Sequence, residues 1–258
     1  MKMTILRSIF LIINYKTFIL TSLSIASTWL CGHYGLVADF PLNLVGIAIV
    51  FPVVFSIDSA YKRRESALGQ LSDLRAHMVS LYQASRDWLD PKHTDFSQEV
   101  RTKIIDIYSS LSDTFIEGSK NGKSKDKKVF KKVSELSAFS QQFRLHGLQV
   151  GEMSRVSQYI SKMAVALERM RVILNYRTPI TLRAYSKVFI YSFPVIYGPY
   201  FQYASEHYSP GLEYFMPVIF SFILVSLDNI QNHLENPFDQ VGEDDIKFKV
   251  DEFEKMLD

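Results

Sequence analysis

The chain of 258 residues contains a single cysteine, Cys31, which excludes an intrachain disulfide framework, a cysteine-rich zinc site and a CxxC redox pair. It contains no GxxxxGK[ST], GxGxxG, HExxH or GxSxG string, so nucleotide cradles and the common hydrolase centres lack their signatures. The six histidines, His33, His77, His93, His146, His207 and His233, are scattered without metal-ligand spacing. Charge is also missing where a soluble protein would carry it. Two long stretches flanking a charged middle are nearly free of Asp, Glu, Lys and Arg, although the whole chain nets only +2.

Those stretches resolve into four apolar segments. Residues 40–57 form the clearest, bounded by Asp39 and Asp58. As a helix it spans roughly 27 Å, close to the hydrocarbon thickness of a bilayer. Residues 17–35 form a second, 188–204 a third rich in tyrosine, and 214–227 a shorter fourth that Pro210 and Glu213 extend into the interface. Buried core helices of a soluble protein are the competing reading for the last two. Charged residues well inside the four segments are absent, which disfavours a proton relay or an ion-coupled carrier.

Charge in the connections sets an orientation. Residues 59–187 carry 23 of the 29 basic residues, and the others are Lys2, Arg7, Lys16, Lys247, Lys249 and Lys255. The connections 32–39 and 205–213 have no Lys or Arg. Four transmembrane helices with both termini and a large helical insertion in the cytosol satisfy the positive-inside rule throughout. The expected protein is therefore all-α, integral and multi-pass, with a cell (inner) membrane as default and an organellar membrane as the alternative. Lys16 and the bulky Trp29-Leu30 step argue against a cleaved signal peptide, and residues 5–15 read as an interfacial helix. The expected organisation is 1–58 for that helix and the first two spans, 59–187 for the cytosolic block, 188–227 for the last two spans, and 228–258 for a tail.

Within the block, apolar residues recur at three and four. The stripes are Leu68, Leu71, Leu74, Met78, Leu81; Val100, Ile104, Tyr108, Leu111, Phe115; Val156, Ile160, Met163, Leu167, Met170, Leu174; and a weaker Phe130, Val133, Leu136, Phe143. Helices packed on one another are expected, with residues 118–128 as an exposed Lys-rich loop and no nucleic-acid role. The block has 13 acidic residues against its 23 basic ones, a net of +10, whereas the chain after Leu227 nets −7. Opposite signs suggest that the tail docks on the block, in its own subunit or a neighbour; a solvated tail is the alternative.

With no plausible catalytic group, no enzyme is expected. Passive permeation remains, through a pore formed between subunits about a symmetry axis, because four spans are too slight to enclose one. The segment 40–57 is the best lining candidate, with Phe40, Leu44, Ala48, Phe51 and Phe55 on one face. An apolar constriction of that kind gates by dewetting, and a basic vestibule concentrates anions. Lipid or helix contact is the ordinary alternative for the same stripe, and a non-conducting membrane scaffold is the alternative for the whole chain.

Three places carry a resemblance. Phe40, Pro41, Leu42, Asn43, Leu44, Val45, Gly46, Ile47 and Ala48 form a Pro-led, Gly-containing helix start. Phe55, Ser56, Asp58, Tyr61, Arg63, Arg64 and Glu65 carry it into the block. Asn236-Pro237-Phe238 is followed by Gly242, Glu243, Asp244 and Asp245. Together, and in this order, they resemble the bestrophin family of anion channels. The resemblance implies a homopentamer with the second span around a central pore, a neck at Phe40, Leu44 and Ala48, and passage of chloride or other small anions. Ala48 is small where the family has a bulky apolar residue, which brings Phe51 in as a further neck residue, and Tyr61-Lys62-Arg63-Arg64 lacks the junction's tryptophans. Animal members place an acidic calcium clasp directly behind Asn-Pro-Phe, whereas here Asp239-Gln240-Val241-Gly242 intervenes. Glu243, Asp244 and Asp245 are thus candidate cation ligands, but no cofactor is expected, and membrane lipid and further copies of the chain are the expected partners.

Overall fold

The computed structural model describes residues 13–89, 94–121, 127–240 and 245–258, with backbone only at 42–44 and 119–121. The described residues are helical and hold no strand. In chain order the helices are α1 (Tyr15–His33), α2 (Leu42–Asp87), α3 (Thr94–Asn121), α4 (Lys127–Phe139), α5 (Gln142–Leu145), α6 (Val150–Asn175), α7 (Ile180–Ile196), α8 (Gly198–His207), α9 (Leu212–Glu235) and α10 (Val250–Lys255). They divide into two compact units. Unit 1 is Met1–Lys62 with Thr178–Glu235, and unit 2 is Arg63–Arg177 with Asn236–Asp258. Residues 42–62 of α2 belong to unit 1 and residues 63–87 to unit 2.

In unit 1, Asn14 opens α1 by accepting from the Lys16 amide at 3.0 Å. Residues 5–12 of the expected interfacial helix lie outside the described residues. Pro41 directly precedes α2, where a missing N–H costs nothing, and its carbonyl accepts from the Val45 amide.

The third apolar segment, expected as one helix over 188–204, is two, broken at Tyr197. Pro199 has no amide to donate and its ring excludes the carbonyl four residues back, that of Val195. The freed carbonyls are taken by α1: Ser27 Oγ donates to Val195 at 2.7 Å, and Ser24 Oγ donates to Pro194. Hydroxyls of a neighbouring helix commonly restore such bonds where water is absent. The approach requires Gly198, because a Cβ there would meet Ser27 Oγ at 3.0 Å and the Thr28 nitrogen at 3.2 Å. The fourth apolar segment is longer than expected: α9 runs eight residues past Leu227, to Glu235.

Unit 2 is built on the predicted helical stripes. Val100, Ile104, Tyr108, Leu111 and Phe115 of α3 are buried, as are Val156, Ile160, Met163, Leu167 and Met170 of α6, while Leu174 is partly buried. In α2 Leu71, Leu74, Met78 and Leu81 are buried as expected, but the first position of the stripe moves back by one: Ala67 is fully buried and Leu68 is 42% exposed. Spacing alone cannot separate adjacent apolar positions, since 67, 71, 74, 78 and 81 repeat as well as 68, 71, 74, 78 and 81 do. Residues Gly118 to Asn121 continue α3 as helix, and 122–126 lie outside the described residues. Arg63 closes α6 at its C-terminal end, donating to the carbonyls of Ile173 (2.6 Å) and Tyr176.

The tail completes this core. Phe238, Ile246, Phe248, Phe253 and Leu257 are each exposed by 3% or less. Phe238 meets Phe115 edge-on at 5.1 Å, Phe253 lies 4.3 Å from Tyr108, and the Tyr108 hydroxyl donates to the Phe248 carbonyl.

Candidate functional site: an apolar face on α2 and an inverted helix bundle

On α2 one stripe is covered: Ile49, Val53, Ser56 and Ala60 are buried, and Ile49 and Val53 pack with Ile190, Phe193, Tyr197, Phe201 and Leu224. At 100° per residue, positions 44, 48, 51 and 55 fall on the opposite side. There Ala48 is exposed, Phe51 is 56% and Phe55 58% exposed, and the two phenyl rings lie 6.0 Å apart. The side chain of Leu44 lies outside the described residues, although its backbone is helical. Phe40 lies before the helix, 39% exposed, with its ring 5.6 Å from Tyr197. Three of the four neck candidates therefore belong to α2, and Phe40 precedes it. Beside this face a cavity of about 390 Å³ is lined by Gly46, Val50, Phe51, Phe193, Phe220 and Leu224.

Helices α7 and α8 bury Ile190, Phe193 and Phe201 in the cluster with Ile49 and Val53, whereas α1 and α9 bury many polar residues and expose large apolar ones. The buried positions of α1 are Thr17, Leu20, Ser24, Thr28 and Cys31, whereas Phe18, Ile19, Leu23, Trp29 and Leu30 are exposed. On α9, Ser221, Ser226, Asp228, Asn229 and Gln231 are buried, while Tyr214, Phe215, Val218, Ile219, Phe222 and Ile223 are exposed. A protein folding in water does the reverse. Two helices, α2 and α9, are long and apolar enough to cross a membrane by length and composition.

The tail motif is structural in its contacts. Asn236 Nδ2 donates to Asp239 Oδ2 at 2.9 Å, the Pro237 carbonyl accepts from the Ile246 amide at 2.8 Å, and Phe238 is fully buried. Asp245 is nearly buried; Glu243 and Asp244 lie outside the described residues. Among the described residues no three His, Cys, Asp or Glu side chains gather as a metal site.

Neither a family model nor a curated protein matches the chain. Solved structures do. A point mutant of a bacterial bestrophin homolog from Klebsiella pneumoniae superposes with a TM-score of 0.79 at 16% identity, covering 94% of this chain and 96% of that one. The chain has the bestrophin fold. A second structure of the Klebsiella homolog gives 0.77 at 16% identity over the same shares. A crystal structure described as a membrane protein gives 0.79 at 17%. The bestrophin fold thus extends over almost the entire length of both chains.

Sequence reasoning missed one polar group of unit 1. Asp228 is fully buried and its Oδ2 accepts from the Tyr191 hydroxyl at 2.8 Å. The signal was present in the spacing of Asp228, Gln231 and Glu235, which repeat at three and four on α9. It went unused because the apolar run ends at Leu227.

Proposed function

We propose that the chain is a bestrophin-like channel: an oligomer, a pentamer by analogy of fold, that passes chloride or other small anions passively along an axis lined by α2. Its unit 1 is immersed in the bilayer, with α1, the membrane part of α2, α7 with α8, and α9 as the four spans. Its unit 2 and both termini are cytosolic, in a cell membrane by default. The observation that carries this reading is the inversion of unit 1. Phe18, Leu23, Phe51, Phe55, Phe215, Phe222 and Ile223 face outward while α1 and α9 bury serines, threonines and an aspartate, an arrangement that lipid and neighbouring subunits stabilise and water does not.

Two kinds of neighbour must then cover two kinds of face. Lipid suits the outer sides of α1 and α9. The side of α2 carrying Ala48, Phe51 and Phe55 suits an axis shared with further copies, where phenyl rings narrow the path and exclude water. The basic excess of residues 59–187 raises the local concentration of anions at the cytosolic end. The tail acts by packing, holding the helical block together without calcium. No chemical conversion takes part.

The test is ion flux into liposomes reconstituted with the purified full-length protein. Chloride flux is expected, with altered selectivity in Leu44→Asn. Absence of any flux across several lipid compositions and pH values contradicts the proposal, and a monomeric particle in detergent would favour a scaffold.

A further inference from the structure

We propose that Asp228 and Gln231 of α9 hold a small monovalent cation of the sodium class inside the helix bundle of unit 1. Asp228 has no exposed surface, and of its two oxygens only Oδ2 has a partner, the Tyr191 hydroxyl at 2.8 Å. Its Oδ1 is buried with nothing bonded to it. No Lys, Arg or His nitrogen among the described residues pairs with this carboxylate. On the neighbouring helix α7, Arg183 pairs with Glu235 at 3.2 Å, and Glu235 also accepts from Thr178 at 2.6 Å. Three residues beyond Asp228, on the same side of the helix, Gln231 is 1% exposed and its Oε1 is likewise buried without a donor.

Two buried oxygens, one of them on a carboxyl group, and no donor for either make an arrangement that is costly unless something positive occupies it. The oxygens are hard ligands, which select sodium- or calcium-like ions over soft metals. A divalent ion calls for more carboxylates than this site has: no group of three metal-ligating acidic or histidine side chains exists among the described residues. One carboxylate and one amide carbonyl match a single positive charge. Tyr191 donates to the carboxylate, a bond that is stronger to a charged acceptor than to a neutral one, and thereby leaves Oδ1 as the oxygen available to the ion. The remaining coordination falls to water or backbone oxygens.

The competing occupant is a proton on Oδ1, donated to Gln231. The two are separated by thermal unfolding of the purified full-length protein in sodium chloride and in N-methylglucamine chloride at equal ionic strength. At about a hundredfold excess over its dissociation constant, sodium is expected to raise the wild-type midpoint by roughly 5 °C. Asp228→Asn, checked for folding by its elution profile, should lose that rise. Equal wild-type midpoints in the two salts overturn the proposal, as does a sodium-dependent rise that survives in Asp228→Asn. Should Asp228→Asn fail to fold, Gln231→Leu decides: its sodium response must weaken at least about tenfold, which is about 1.4 kcal/mol, and an unchanged response overturns the site. Ion conduction enters neither result.

Discussion

The Tyr108 hydroxyl donates to the Phe248 carbonyl at 2.5 Å, joining the middle of α3 to the tail across 140 residues of sequence. Opposite net charges predict that the tail docks on the block, and it does so within its own chain, but aromatic burial dominates. Arg101 pairs with Glu254 at 3.3 Å and Asp258 at 2.7 Å, both partners well exposed; such pairs contribute about 0–1 kcal/mol. Each fully buried aromatic of the tail contributes about 1.5–3 kcal/mol by leaving water. The exposed ion pairs add little, and the burial of Phe238, Phe248 and Phe253 holds the tail in place.

Phe238→Ala should therefore cost about 3–5 kcal/mol of stability, read as a lowered unfolding midpoint, while Arg101→Ala should cost less than about 1 kcal/mol. Comparable losses in the two variants would show that charge holds the tail.

Removing the Tyr108 hydroxyl leaves the Phe248 carbonyl without its donor. Tyr108→Phe is expected to destabilise the protein by about 1–3 kcal/mol, measured by thermal melting at neutral pH. Burial is the main cause that pushes the Tyr108 phenol above its ordinary value of 10.0, with Glu252 adding and Arg75 opposing. The neutral phenol thus favours the fold fully below pH 10.0, and that contribution disappears as pH rises beyond it. Melting curves of the wild type should fall more steeply above this pH than those of Tyr108→Phe.

At the acid end the sensitive group is His77, stacked on Tyr159 at 6.3 Å. Burial, then Lys162, holds its imidazole below the ordinary 6.5, against the pull of Asp73. Between that lowered value and 6.5 the unfolded chain binds the proton more readily, so stability must decline as pH falls below 6.5. His77→Gln should flatten this part of the stability profile; an unchanged slope would mean that His77 is not its source.

Close approach at Gly198 gives a test in unit 1. Gly198→Leu puts side-chain atoms where Ser27, Cys31 and Thr28 already stand at 3.0–3.2 Å from a Cβ, and overpacking of this kind costs about 1–3 kcal/mol. A lowered melting midpoint without change in the tail's proteolytic sensitivity is the expected outcome.

The helical stripes of unit 2 were legible because charge on the outer faces leaves one apolar period visible, as at Val100, Ile104, Tyr108, Leu111 and Phe115. Leu68 was not, because Ala67 is also apolar and the smaller residue fits the closer contact. In unit 1 the segments are apolar on nearly every side, so periodicity could not tell lining from lipid contact. The break at Tyr197 had its signal in Pro199, but the tyrosines around it kept the segment apolar. The register of Ala48, Phe51 and Phe55 on one side of α2 was readable, whereas Phe40 precedes the helix; the burial of Ile49 and Val53 shows which side of α2 is covered, and no single sequence contains the copies that would meet its other side.

The most direct measurement is a single-particle image of the purified full-length protein. The account predicts a five-fold particle whose α2 helices turn Ala48, Phe51 and Phe55 toward a continuous opening on the axis. A monomer, or an oligomer in which that face of α2 meets detergent and nothing hollow runs between subunits, would contradict it.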